Sequence, residues 1–206
     1  MDFVFSGKKI IFNRVLSDLD KFVIDFTRVL DKNNIRYVIV SGYVSIVFGR
    51  SRYTEDVDII VEQMEYEKFE DLWDDLEKEF ECMNTDDPKH AYQAFLKEYA
   101  AIRFFRKGFP FPNTEFKLAF KEHDLESLNN SIELILSENR IIISPLEMHI
   151  AFKMHLGSEK DFRDAKHVYD VFKEHIDRKK LKLLLKQFYN INDSKVKEYL
   201  SGLYDV

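Results

Sequence analysis

The sequence predicts an α+β fold: a small mixed β-sheet flanked by helices, followed by a helical region at the carboxyl end. Three observations predict it. Amphipathic helical patterns and short β-branched segments share the first part of the chain, whereas after Ile143 there are helical patterns and helix-cap signals only. A chain of 206 residues, 45% of them hydrophobic, can also bury one substantial core. We therefore expect an α/β core at residues 1–143 and a helical region at 144–206 packed on it.

The first elements of the core come before residue 62. Apolar residues recur every three or four positions from about Arg14 to Asn33, which predicts an amphipathic helix. Aromatic and β-branched residues then favour a strand at Arg36–Val40. We expect a short helix over Tyr43–Phe48, ended by Gly49, and a second strand at Asp56–Val61.

The rest of the core is expected to add one helix and three strands. An apolar face predicts a helix over Tyr66–Glu81. Strands are expected at Tyr99–Phe105 and Glu115–Phe120, joined by a glycine- and proline-rich loop. A short strand follows at Arg140–Ile143.

Helix-cap signals open the helical region. Ser144 is suited to cap a helix that has Pro145 at its first position and Glu147 as capping-box partner, and this helix should run to about His155. A second capping pattern begins at Ser158. Two further helices are expected, over residues 179–188 and 193–203.

Composition and charge exclude several classes of protein. A content of 33% charged residues with 45% hydrophobic ones is that of a globular chain. The net charge of −6 argues against a surface that attracts nucleic acid everywhere, and leaves room for a local basic groove. The lone Cys82 allows no internal disulfide. No leader pattern or membrane-spanning apolar run is present, so we expect a cytoplasmic protein that does not bind a membrane.

Two carboxylates in the second strand point to metal chemistry. Side chains two apart on a strand face the same side, so Asp56 and Asp58 lie together while Val57 enters the core. Paired carboxylates suit Mg²⁺ (or Mn²⁺), which completes its coordination with water and substrate phosphates. An Asp-x-Asp pair alone is a weak signal, since ordinary strand alternation also produces it.

A tight turn precedes these acids. Ser41-Gly42 follows an apolar strand and opens a helix, which lets backbone amides approach an anion. Together, the turn and Asp56-x-Asp58 would bind a nucleoside triphosphate and align its α-phosphate for attack by a hydroxyl.

The order of these features resembles the nucleotidyltransferase superfamily, and within it the minimal bacterial and archaeal members that include the AbiEii-type toxins. Val40-Ser41-Gly42-Tyr43 is similar to their strand-exit turn, and the stretch from Gly49 to Asp58 is similar to their glycine, arginine, threonine, Asp-x-Asp pattern. Lys153, followed by the segment from Gly157 to Ala165, resembles their lysine and Lys-Asp-x-x-Asp helix. The likeness covers roughly residues 35 to 172.

The resemblance implies a role for each matching residue. Asp56 and Asp58 would be catalytic metal ligands. The residues expected to contact the nucleotide are Ser41, Gly42, Arg52, Thr54, Lys153, Lys160 and Asp161.

Structural roles compete with several of these assignments. Asp161 also fits a helix-capping role, and Lys160 with Asp164 fits an i,i+4 ion pair. Arg52 could instead form a salt bridge with Glu55 or with an acidic helix.

Two positions depart from the family pattern. Ser41 replaces a glycine, which costs little if the backbone dihedrals there are ordinary. Active members carry a third carboxylate, the expected general base, on a later strand, and the matching position here is Lys117. Glu115 lies two residues earlier on the same strand face and is the substitute catalytic carboxylate that we predict.

Three functions fit these observations. The first is a metal-dependent nucleotidyltransferase that moves a nucleotide from a nucleoside triphosphate to a hydroxyl of an RNA or protein acceptor, as the toxin of a pair with an antitoxin partner. A second is a catalytically degenerate member that binds a nucleotide or a partner. The third uses the acidic helices only to dock a partner. The aromatic and basic loop Phe104–Phe111 would stack on a nucleic acid end or dock a partner.

Overall fold

The computed structural model describes residues 3–188 and 191–203, and within these residues nine strands form one mixed sheet. In chain order the strands are β1 (Phe3–Ser6), β2 (Lys9–Phe12), β3 (Tyr37–Ile39), β4 (Asp56–Val61), β5 (Phe80–Cys82), β6 (Ile102–Arg106), β7 (Phe109–Leu118), β8 (Ile132–Leu136) and β9 (Asn139–Ile143). Their order across the sheet is β1-β2-β8-β9-β3-β4-β7-β6-β5. The sheet is therefore larger than the small one that the sequence predicts.

Helices flank this sheet. They are α1 (Asp18–Lys32), α2 (Gly42–Val47), α3 (Tyr66–Leu76), α4 (Pro88–His90), α5 (Glu122–Asn129), α6 (Leu146–Leu156), α7 (Glu159–Phe172), α8 (Arg178–Gln187) and α9 (Asp193–Tyr199). A π-helical turn, Ala91–Phe95, and a 3-10 turn, Leu96–Glu98, continue directly from α4. The mixed sheet with flanking helices confirms the predicted α+β class. None of the described helices is long and apolar enough to cross a membrane.

The centre of the sheet sets the geometry that matters for function. β4 pairs antiparallel with β3 on one side and parallel with β7 on the other. The parallel pairing places Asp56 opposite Asn113 and Asp58 opposite Glu115. The start of β4 and the first half of β7 therefore lie at the same end of the sheet.

The two faces of β4 have different surroundings. Val57, Ile59 and Val61 enter the main hydrophobic core, which also contains buried residues of α1 and α3. Ile60 belongs to a smaller apolar cluster on the other face, where α5 packs on β3 and β4. Asp58 shares that second face and is half-buried, so the face becomes more open toward the start of the strand.

A capping box fixes the start of α1. Ser17 Oγ accepts a hydrogen bond from the Asp20 amide at 3.2 Å, and the Asp20 carboxylate accepts one from the Ser17 amide at 2.7 Å. Asp20 is fully buried and also accepts from Arg14 and the Tyr43 hydroxyl. The helix therefore starts after Ser17, later than the periodicity predicts, and Asp20 ties it to α2.

Some predicted boundaries are wrong. The helix predicted over Tyr66–Glu81 ends at Leu76, and Phe80–Cys82 is strand β5. Strand β7 begins at Phe109, inside the predicted loop, because it extends as a hairpin with β6. The sequence pattern does not predict strands β1, β2 and β8 or helix α5.

The predicted cap of the first carboxyl-terminal helix is also wrong. Pro145 is the N-cap of α6, and no side chain caps it. Ser144 is buried, while Glu147 accepts a hydrogen bond from the Asp177 amide at 2.9 Å, just before α8. The capping pattern predicted at Ser158 is present, since its hydroxyl accepts from the Asp161 amide at 3.2 Å.

Candidate active site

Three acidic side chains come together at the open end of β4 and β7. Asp56 and Asp58 are two apart on β4, and Glu115 on β7 is the register partner of Asp58. All three are half-buried. Thr54 lies just before the strand, and its hydroxyl is within hydrogen-bond distance of the Asp56 carboxylate, at 3.1 Å, and of the Asp56 carbonyl, at 3.0 Å. Thr54 therefore orients Asp56.

The surroundings of Asp58 make its negative charge costly. Burial raises the pKa of Asp58, and the charges of Glu115 and Asp56 raise it further. The positive charge of Lys117 and a hydrogen bond from Ser41 oppose this rise without cancelling it. A cation bound between these carboxylates would relieve the repulsion.

The donor set at this end of the sheet fits a hard divalent cation only in part. Among the residues that the structure describes, no group of three or more His, Cys, Asp or Glu side chains is arranged to hold a metal ion. Mg²⁺ needs only one or two protein carboxylates when phosphate oxygens and water complete its coordination. Asp56 and Asp58 supply those carboxylates, so the residues present fit a metal that arrives with a polyphosphate.

Ser41 has a strained backbone. It precedes α2 with φ 59° and ψ −134°, a conformation that favours glycine. We expected serine to replace glycine here at little cost if the dihedrals were ordinary. They are not, so the serine is strained at this position. Its side chain still serves the site, because its hydrogen bond to Asp58 lowers the pKa of that carboxyl.

We expect Ser41→Gly to stabilise the protein by about 1 kcal/mol, because relief of backbone strain exceeds the entropy that glycine adds to the unfolded chain. Urea denaturation measures this change. Ser41→Ala is the matched control, since it removes the same hydroxyl and keeps the strained dihedrals. A gain of stability in Ser41→Ala, or a loss in Ser41→Gly, would contradict the assignment of strain to this backbone position.

Gly42 brings an arginine against the turn. A β-carbon added at Gly42 would lie 2.1 Å from Nη2 of Arg52, so the guanidinium occupies the space that a side chain would need. The same Nη2 lies 3.1 Å from Oδ2 of Asp164 on α7, and only 11% of the Arg52 side chain is exposed. Of the two alternatives for the Arg52 ion pair, the structure has the acidic helix and not Glu55.

Asp164 is the centre of a buried charge cluster. Its carboxylate is fully buried and faces Arg52, Arg50 at 3.4 Å and Lys153 at 3.7 Å. Lys153 is buried too, and its Nζ donates a 2.8 Å hydrogen bond to Asp161. Three cations and two anions therefore form one cluster, which Arg52 connects to the Ser41-Gly42 turn.

The structure separates Lys160 from this cluster. Lys160 is exposed at the start of α7 and has no ion pair within residues 3–188 and 191–203, so the i,i+4 pair with Asp164 is absent from them. Asp161 takes part in the helix cap, since Ser158 donates a hydrogen bond to its carboxylate, and it also pairs with Lys153. Although burial raises the pKa of Asp161, hydrogen bonds from Lys153 and Ser158 bring it below the usual value.

Comparison with known proteins supports this reading of the fold. No family model matches the sequence, and no curated protein matches it either. The crystal structure of an antigenic nucleotidyltransferase-like protein from Paracoccidioides brasiliensis is similar with a TM-score of 0.56, at 16% identity, over 89% of this chain and 92% of that one. The solution structure of the antibiotic-resistance factor ANT(2'')-Ia is similar with a TM-score of 0.54, at 12% identity, over 84% of this chain and 92% of that one. The chain has a nucleotidyltransferase fold.

In this nucleotidyltransferase fold the acids and the turn share one end of the sheet. The Val40 amide bonds the Asp58 carbonyl at 3.0 Å, which fixes the strand exit beside the second acid. A small cavity of about 30 Å³ lies next to Ser41 and Lys117 and extends to His149 on α6. It holds about one water molecule.

Sequence reasoning missed Asp164 and His149 as members of this region. The sequence pattern gives Asp164 only as the i,i+4 partner of Lys160 and gives His149 no role. Asp164 is three residues after Asp161, which places both on one helix face, and that spacing was the available signal. His149 is four residues before Lys153 on α6, and its Nε2 lies 2.9 Å from the Ser45 hydroxyl of α2.

His149 gives a pH-dependent term to stability. Burial, with the charges of Lys153 and Arg52, lowers the pKa of His149 from 6.5 to about 3. The unfolded chain therefore binds the additional proton between these pH values, and stability falls as pH falls from about 6.5 to 3. The slope from this group approaches about 1.4 kcal/mol per pH unit.

Denaturation measured from pH 7 to 4 tests this, and His149→Gln should flatten the curve. The exposed His90 provides the matched variant, and His90→Gln should leave the slope unchanged. Equal slopes in the native protein and His149→Gln would show that another group carries the pH dependence.

Proposed function

We propose that this protein is a metal-dependent nucleotidyltransferase that moves a nucleotide from a nucleoside triphosphate to a hydroxyl of an RNA or protein acceptor. The observation that carries the proposal is the register of the central strands, which places Glu115 opposite Asp58, two residues along β4 from Asp56. This supplies a third carboxylate from β7, as the reaction requires, although Lys117 occupies the position where the family pattern has an acid.

Each part of the site has a chemical role in this proposal. Asp56 and Asp58 would hold Mg²⁺ or Mn²⁺, which when bound offsets the charge that develops on the α-phosphate. Glu115 would take the proton from the acceptor hydroxyl. The acceptor oxygen then forms a bond to the α-phosphorus, the bond to the bridging oxygen breaks, and pyrophosphate leaves.

The basic residues near the turn would hold the triphosphate. Arg52 lies against Gly42, and Lys117 lies near Asp58, so both carry positive charge close to the space beside the acids. Lys153 and Asp161 would act indirectly, because their hydrogen bond holds α6 against α7. Lys160 stays in the proposal as a more distant contact to the phosphates or base.

The finer family assignment is also part of the proposal. The motifs from Gly49 to Asp58 and from Gly157 to Ala165 resemble those of AbiEii-type toxins. We infer that the protein acts in the cytoplasm as the toxin of a two-gene pair and is neutralised by an antitoxin. Induced expression should then arrest growth, whereas expression of Asp58→Asn should not.

Transfer of label tests the reaction class. The purified protein is incubated with each nucleoside triphosphate labelled at the α-phosphate, with Mg²⁺ or Mn²⁺, and with total RNA or total protein as acceptor. We expect label on one acceptor class with the native protein and none with Asp58→Asn. Failure of the native protein to label either class would count against transfer.

A second function, nucleotide binding without transfer, is favoured by two ion contacts. Lys117 opposes the charge of Asp58, and Arg103 lies 3.5 Å from Glu115 and competes for that carboxylate. In this case a triphosphate with Mg²⁺ would raise the melting temperature while no label moves. Absence of both effects would leave partner docking as the function.

A further inference from the structure

We propose that the tip of the β6–β7 hairpin, together with Tyr53, is a stacking surface for the single-stranded end of an RNA acceptor. The stacking surface consists of Tyr53, Lys107, Phe109 and Phe111. Its use in delivering an acceptor hydroxyl rests on the proposed transferase function, whereas its affinity for RNA is a separate property that can be measured without transfer.

The register of the strands places this surface beside the acids. The Asn113 amide donates a 2.8 Å hydrogen bond to the Glu55 carbonyl, so β7 remains paired with the chain just before Asp56. On β6, Phe105 is the register partner of Asn113 and the next residue, Arg106, is the partner of Phe109, so residues 110–112 bulge out of the ladder close to Asn113. Tyr53 precedes Asp56 on the neighbouring segment. Both parts of the surface therefore project from the end of the sheet that carries the acids.

The aromatic side chains of this surface are unusually exposed. Tyr53 is 76% exposed, Phe109 is 66% and Phe111 is 52%. Among the described residues, none of these rings packs against another aromatic ring. Most other phenylalanines of the chain are buried or partly buried in the core. Three exposed rings at one end of a sheet are typical of a contact surface.

The charge of the hairpin suits a polyanion. Residues 99–114 contain Arg103, Arg106 and Lys107 and no acid, although the whole chain has a net charge of −6. Arg103 pairs with Glu115, and Arg106 pairs with residues of neighbouring elements. Lys107 is exposed and has no ion pair within the part of the chain described by the structure.

The combination favours single-stranded RNA over a duplex or a protein. Bases can stack on aromatic rings only where they are not already paired and stacked, as at a single-stranded end. A strand bound to this surface would bring its terminal hydroxyl to the end of the sheet that carries Glu115.

Binding of a short, fluorescently labelled single-stranded RNA, followed by fluorescence anisotropy, tests the proposal. We expect the triple variant Tyr53→Ala/Phe109→Ala/Phe111→Ala to weaken binding about tenfold or more, since each stacked base contributes substantially. A blunt duplex of the same sequence should bind the native protein more weakly than the single strand.

Tyr99→Ala is the matched control. Tyr99 is 71% exposed and lies at the opposite end of the β6–β7 pair, against Phe120. This variant should bind RNA as the native protein does. Equal RNA affinity in the native protein and the triple variant would overturn the proposal. A triple variant that loses labelling of a protein acceptor and keeps its RNA affinity would overturn it in favour of protein docking.

The failure of this proposal is distinguishable from failure of the transferase proposal. The triple variant should keep the native thermal shift with a nucleoside triphosphate and Mg²⁺, because Asp56 and Asp58 are unchanged. RNA affinity that depends on the three rings, without any triphosphate-dependent shift, would support the stacking surface and remove the transferase.

Discussion

Asp58→Asn is expected to abolish nucleotide transfer and, at the same time, to stabilise the fold. The substitution removes one of the two carboxylates proposed to hold the metal, and metal stabilisation of a transition state contributes several kcal/mol, which corresponds to a rate loss of roughly a hundredfold or more. It also removes the charge that burial, Glu115 and Asp56 make unfavourable. The free energy of unfolding should rise by about 1 kcal/mol, as is common when an unfavourable charge is removed from a functional site.

The stability gain from Asp58→Asn has a defined pH dependence. The folded-state pKa of Asp58 is raised above its usual 3.8, so the folded protein binds a proton more readily than the unfolded chain. Below pH 3.8 Asp58 is protonated in both states, so it does not destabilise the fold. Above its raised folded-state pKa the carboxylate is charged, and the full destabilisation is present. The gain should therefore be present at pH 7 and disappear as pH falls through the raised pKa toward 3.8.

Urea denaturation at pH 7 and in acid, together with the label-transfer assay, measures both effects. Glu55→Gln is the matched control, because Glu55 is an exposed carboxylate directly before β4. It should change neither transfer nor stability. An Asp58→Asn protein that transfers label at the native rate would remove Asp58 from the mechanism, and one that is less stable than the native protein would contradict the repulsion.

The central strand was predictable to the residue because its signal is local. Asp56–Val61 begins with alternating acids and apolar residues, ends in three β-branched residues and follows a polar turn, so composition and boundaries agree. Strand β5 was missed because Phe80 continues the apolar spacing of α3 by four residues, and spacing alone cannot tell a following buried strand residue from another helical turn. Strands β1 and β2 are only four residues each; β1 pairs with β2, and β2 pairs with the distant β8.

The candidate site was predictable in its chemistry and less so in its energetics. The types and spacing of Ser41, Gly42, Asp56 and Asp58 carry the hypothesis without any coordinates. The positive φ of Ser41 is a property of the folded backbone, and a serine in the sequence does not predict it. The pairing of Arg52 with Asp164 joins positions more than one hundred residues apart, so local patterns contain no information about it.

Asp164→Ala is expected to destabilise the protein by about 3–5 kcal/mol, because removal of one partner leaves buried opposite charges uncompensated. The Asp164 side chain is fully buried. Arg52, Arg50 and Lys153 all lie within 4 Å of its carboxylate. Asp170→Ala removes an exposed carboxylate on the same helix, paired with Lys166, and should change stability by less than about 0.5 kcal/mol. Urea denaturation of both variants makes the comparison.

The origin of the Asp164 effect can be separated from loss of packing. If the cost comes from unpaired cations, Arg52→Met should reduce the loss caused by Asp164→Leu, because fewer buried charges then lack a partner. Purely additive effects in this double-mutant cycle would instead indicate that Asp164 and Arg52 contribute independently. Since Arg52 also lies against Gly42, coupling between the two would tie the stability of α7 to the shape of the turn that is proposed to hold the triphosphate. In that case, Asp164→Ala should weaken the triphosphate-dependent thermal shift more than Asp170→Ala does.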